Sequence, residues 1–201
     1  MKTLFLPFAS RALSATAALA LLTTSALAQA PAPAAPAAPG AAPVAPAATP
    51  APKPLNASEK GFIKNSGKAI YYLVQLSGSA KTAVTDEKLG RLRDTVTKDM
   101  NKAWEALTKV AKAQNETLVG ELQGADKSTI ERLGKQKDDK FVKAWLDELA
   151  KESKKLDRDF ETASKTVLDP ELKTFVANYG AVVRNVFTSS EAAEKGFKGK
   201  K

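Results

Sequence analysis

Residues 89–110 read LGRLRDTVTKDMNKAWEALTKV, and their apolar positions decide the fold. Leu89, Leu92, Val96, Met100, Ala103, Leu107 and Val110 succeed one another at steps of 3, 4, 4, 3, 4 and 3. A helix turns once per about 3.6 residues, so these steps keep all seven side chains on one stripe that other helices must cover. A half-buried strand would instead alternate, and no stretch of this chain alternates for long. Trp104 adds bulk to the same side, and the spacing predicts a helix over about 86–114.

The same period recurs on both sides of that stretch. Ile63, Ile70, Leu73, Val74 and Ala80, widened by Tyr71 and Tyr72, predict a helix over 58–84, and Asn56 and Glu59 have capping-box spacing at its start. Gly67 interrupts this helix and leaves room for a neighbour to come close. Gly120, Gly124 and Gly134 then bracket a short helix over 127–133, with Ile130 and Leu133 as its apolar contacts.

From 138 to 166, Val142, Trp145, Leu149, Ser153, Leu156, Phe160 and Ala163 share one face, and Ser153 is the single hydroxyl among them. On the outer face Asp147 with Lys151, and Lys155 with Asp159, stand four residues apart, so the charge run KESKKLDRD reads as solvated helix. Asp169-Pro170-Glu171 opens the last helix with an N-cap, a proline at the first position and an acid in the first turn. Its apolar face (Leu172, Phe175, Val176, Tyr179, Val182, Val183, Val186, Phe187) is the widest, so it is expected to be the most buried helix, ending before Gly196. The expected fold is all-α: an antiparallel four-helix bundle with one longer connection carrying a short helix.

The chain divides by composition. Residues 1–28 have cations at Lys2 and Arg11, an apolar run over 12–22 and small residues at Ala26-Leu27-Ala28. That order is a secretory signal peptide, too short to span a bilayer, with cleavage expected after Ala28 because cleavage after Ala30 would leave Pro31 at the scissile bond. Residues 29–55 are almost all proline and alanine, offer little to bury, and read as an extended spacer. Residues 56–194 form the bundle domain, and 195–201 a basic tail. No later run is apolar enough to span a membrane, so the mature protein is expected in the periplasm.

Charge and residue types limit the chemistry. The formal net charge is +9, but Lys2, Arg11 and Lys53 precede the domain, and Lys195, Lys198, Lys200 and Lys201 sit in the tail. What remains interleaves both signs, unlike a nucleic-acid footprint with lysine and arginine gathered on one face. Without cysteine there is no disulfide, lipid anchor on cysteine, thiolate metal site or thiol nucleophile. Without histidine no serine has an imidazole base, and no Gly-rich phosphate loop or Gly-x-Ser-x-Gly motif occurs. Trp104 and Trp145 read as core.

The pattern from Phe62 to Phe187 resembles a family of exported bacterial proteins with a ferritin-like four-helix bundle, catalogued as a domain of unknown function and loosely labelled predicted outer membrane protein. The segments carrying the resemblance are Asp99-Met100-Asn101-Lys102-Ala103, Phe141 to Trp145 with Glu152-Ser153, and Asp169-Pro170-Glu171-Leu172-Lys173-Thr174-Phe175. The resemblance implies histidines where this chain has Met100, Ser153 and Val186, all three on the inward seams. A thioether, a hydroxyl and an alkyl group are poor or no ligands for iron or manganese, so the metal role the resemblance suggests is not expected here. Asp99 and Glu152 remain as carboxylate candidates for it.

The expected function is therefore a non-catalytic, exported bundle with a binding or structural role in the bacterial envelope. No cofactor is expected, and the partner is an anionic envelope polymer or another protein. The alternative is a ferritin-like metal-binding or redox protein using Asp99 and Glu152. The hydroxyl of Ser153 is expected to donate to the carbonyl of Leu149 one turn back.

Overall fold

Asn56 starts the first helix by accepting the N–H of Glu59 at 3.0 Å, and Glu59 accepts the N–H of Asn56 at 2.9 Å, forming the capping box. In the computed structural model, which describes residues 54–199, five helices follow: α1 Ala57–Ser79, α2 Glu87–Ala113, α3 Gly124–Gly134, α4 Asp138–Thr166 and α5 Pro170–Gly196. No strand occurs among the described residues. Asp86 caps α2 by accepting from Leu89 N–H at 2.9 Å, and Asp169 caps α5 by accepting from Leu172 N–H at 2.8 Å.

The helix boundaries depart from the sequence reading in instructive places. α1 stops at Ser79 rather than near Val84, because the Ser77-Gly78-Ser79 run is a poor helix former and the chain turns there. Ala80 and Val84 stay buried beyond the turn, so the apolar period outlasts the helix. α5 runs through Gly196, and Phe197 then packs against the core, so the tail is anchored at its root. Leu55, placed in the spacer by composition, is only 7 % exposed and belongs to the core. The signal-peptide assignment, the spacer before Pro54 and the last two lysines lie outside the described residues.

Four long helices form a closed ring in the order α1, α2, α5, α4, and the diagonal pairs stand apart. Each neighbouring pair is antiparallel. Phe62 and Tyr72 of α1 meet Phe160 and Glu148 of α4 in reverse order. Lys60 and Tyr71 meet Glu116, just past α2, and Trp104. Asp157 and Phe160 of α4 meet Arg184 and Phe175 of α5. Lys102 and Gln114 meet Tyr179 and Asp169. Hence α2 and α4 run parallel on opposite corners, and the chain must cross the bundle from end to end between them. The crossover carries α3, which packs on α1 and α4.

Contrary to expectation α5 is not the most buried helix: α4 buries more of its residues, because α1, α3 and α5 all cover it. The wide face of α5 is tightly met by α4 and more loosely by α2. Ion pairing on α4 also differs in partner: Asp147 joins Lys143, and Lys151 joins Glu148 and Glu152. The KESKKLDRD run is not wholly solvated, since Asp157 is buried and accepts from Arg184 of α5 at 3.2 Å.

Candidate functional site

The seams of α2, α4 and α5 carry Met100, Ser153 and Val186 into the interior, where they are 0, 0 and 3 % exposed. The contact of Lys154 with Phe187 sets Ser153 level with Val186, whereas the bond from Tyr179 to the Lys102 carbonyl sets Met100 more than a turn away along α5. The three positions therefore share the interior but not one level of it. Trp145, Leu149 and Leu156, all fully buried, flank Ser153 along α4.

Ser153 Oγ donates to Leu149 O at 2.7 Å and lies 3.2 Å from Ala150 O. Its own helix thus takes up the one donor of the hydroxyl. Ser190 repeats the arrangement one turn beyond Val186, donating to Val186 O at 2.7 Å. Sequence reasoning missed Ser190, and also Ser66 and Ser77, which are fully buried on α1. Their signal was the one that flagged Ser153: a hydroxyl three or four residues from apolar seam positions such as Ile63, Ile70 and Leu73. Ser66 Oγ, Ser77 Oγ and Trp145 Nε1 have no hydrogen-bond partner among the described residues.

Asp99 and Glu152 do not converge. Asp99 lines a groove of about 370 Å³ between α2 and α5, with Leu92, Val96, Asn185 and the edge of Val186. Glu152 lines a polar recess of about 210 Å³ between α1 and α4, with Lys68, Tyr72, Asp126 and Lys155. The two seams lie on opposite sides of the ring, and among the described residues no three His, Cys, Asp or Glu side chains group as a metal site.

The recess at Glu152 is built around Tyr72, whose ring is buried and whose hydroxyl donates to Glu148 at 3.2 Å. Burial, and then the Glu148 carboxylate, push the phenol well above its ordinary range. Nearby, burial raises the Asp159 carboxyl while Lys155 opposes it. The crossover seals one side of this region. Leu118 sits on Gly67, where an added Cβ would come within 2.7 Å of Leu118 Cδ2, so the glycine admits a side chain of the crossover rather than another helix. Lys60 and Lys64 hold Glu116 at 3.0 and 3.4 Å, and the hydrogen bond from Lys60 draws the Glu116 carboxyl below its ordinary range.

Residues 44–192 match the model of a family described as a domain of unknown function, DUF4142. The chain belongs to the DUF4142 family. The match reaches back before α1 into the Pro/Ala-rich stretch and forward almost to the end of α5. Among solved structures, the DUF4142 domain is similar to the crystal structure of a DUF305 fragment from Deinococcus radiodurans, with a TM-score of 0.64. The two share 8 % identity over 72 % of this chain and 100 % of that fragment, a likeness of fold alone. No curated protein matches the sequence. Among the described residues, no helix is long and apolar enough to cross a membrane.

Proposed function

We propose that this DUF4142 protein is an exported, non-catalytic helical bundle that acts by binding or by a structural role in the bacterial envelope. The observation that carries the reading is the burial of Met100, Ser153 and Val186, with the one hydroxyl among them donating to its own helix. A ferritin-like topology is part of the proposal. Its support is the end-to-end crossover between two parallel helices in a ring of otherwise antiparallel neighbours. The separation of Asp99 from Glu152 speaks against the carboxylate metal alternative.

Export is supported by the order of charge, apolar run and Ala26-Leu27-Ala28 at the start of the chain. The test is fractionation of cells producing the full chain, with the N-terminal mass measured in each fraction. The proposal expects a periplasmic or envelope-associated protein beginning at Gln29. An uncut chain confined to the cytoplasm overturns it.

A further inference from the structure

A cleft of about 930 Å³ opens at the end of the bundle where α2 and α4 begin and α5 stops. Val84 of the α1–α2 loop, Leu89 of α2, Val142 of α4 and Ala193 of α5 give it an apolar lining. Asp86, Asp138 and Asp139 stand beside Lys88 and Lys137 among its polar residues, so net charge selects no ligand there. The apolar lining and whatever already covers it have to decide.

What covers it is the chain's own tail. Past Gly196 the backbone is extended at Phe197 (φ −74°, ψ 110°), whose side chain lines the cleft and packs against the core. Gly199 then lies against the first turn of α4. A Cβ added at Gly199 would stand 3.6 Å from Asp139 Cβ and 3.2 Å from Asp139 Oδ2. The hold is slight: the ring of Phe197 is half-buried, its N–H reaches the Glu194 carbonyl at 3.3 Å, and Lys198 and Gly199 are exposed. Half-burial of one phenyl ring favours a closed tail by roughly tenfold, so about one chain in ten stands open.

We infer that residues 197–199 form a releasable strap across this cleft, and that the opened cleft takes an aromatic ring in the place of Phe197. The inference deepens the binding role proposed above and rests on it. Phe197 selects the occupant, because a phenyl ring is the group the apolar lining already receives. Strap and ligand compete for one place, so the apparent affinity is set by the fraction of chains that stand open.

The chain has no cysteine, so one introduced pair can lock the strap. Asp139→Cys with Gly199→Cys sets two Cβ atoms at a separation a disulfide accepts, about 3.5–4.5 Å. Under mild oxidation the full-length double variant is expected to lose both free thiols while staying monomeric. Each form is then titrated with the aromatic dye anilinonaphthalene sulfonate, followed by fluorescence, with its helical circular dichroism compared to wild type. Phe197→Ser removes the competing ring and is expected to bind the dye about tenfold more tightly than wild type. The oxidised double variant is expected to bind least, and dithiothreitol to restore its binding. Thiols that stay free overturn the strap. Equal dye binding by wild type, Phe197→Ser and the oxidised form, or none by any form, overturns the aromatic site. Each of these failures leaves the fractionation result unaffected and so is separable from failure of the export proposal.

Discussion

Glu59 Oε1 accepts the backbone N–H of Asp169 at 2.9 Å across 110 residues, joining the first turn of α1 to the loop that starts α5. The same oxygen accepts from Leu168 N–H at 2.7 Å, while Oε2 closes the capping box on Asn56. One buried carboxylate thus satisfies three backbone donors from two ends of the chain. Asp169 in turn accepts from Gln114 at 3.0 Å, so the end of α2 is tied to the same point.

Glu59→Ala strands those donors in a buried place, and about 3 kcal/mol of stability should be lost. Glu59→Gln keeps an acceptor and should cost roughly half as much. Urea unfolding with an unchanged slope and a lowered midpoint checks both. Equal stability of the alanine variant and wild type would show that the tie contributes nothing.

Ser66 and Ser77 predict a change in the opposite direction. Each buries a hydroxyl without a partner, so Ser66→Ala and Ser77→Ala should be neutral or raise stability by about 1 kcal/mol. Ser153→Ala should cost less than about 1 kcal/mol, because only a bond to its own helix is lost. Paired urea melts separate the two classes, and a large loss at Ser66 would reveal a partner for its hydroxyl.

Gly67 is predicted to separate local from global stability. Gly67→Ala improves helix propensity by about 1 kcal/mol but pushes Leu118 off its seat. The expected outcome is an unchanged or raised urea midpoint together with faster amide exchange over residues 115–132. Unaltered exchange in that segment would mean that Leu118 does not fasten the crossover.

Tyr72 sets an alkaline limit. Its phenol titrates higher in the folded than in the unfolded chain, so the folded state holds the proton more tightly. That contribution is complete below about pH 10, the ordinary phenol value, and is lost as pH rises above it. Stability of Tyr72→Phe should therefore fall less steeply than that of wild type above about pH 10. Parallel curves would contradict the buried bond to Glu148.

The parts legible in the sequence are those fixed by period and local capping. The step pattern from Leu89 to Val110 located α2 to within a residue, and Asp169-Pro170 marked the start of α5. Leu92 and Val110 proved only partly buried, since Ala111 takes the last seam place. What escaped was long-range. Nothing near Gly67 announces Leu118, far along the chain, and Glu59 reads as a capping residue until the α4–α5 loop folds over it. Ser153 and its bond to Leu149 were legible because both partners lie on one helix. The separation of Asp99 from Glu152 depends on the order of helices around the ring, which periodicity does not specify.

The most direct measurement of the central claim, a bundle that holds no metal at these positions, is elemental analysis of the full chain. The chain is incubated with Fe²⁺, Mn²⁺, Cu²⁺ or Zn²⁺ and then desalted. The account predicts substoichiometric metal in every case, with Asp99→Asn plus Glu152→Gln indistinguishable from wild type. One tightly held ion per chain, lost in that double variant, would contradict it.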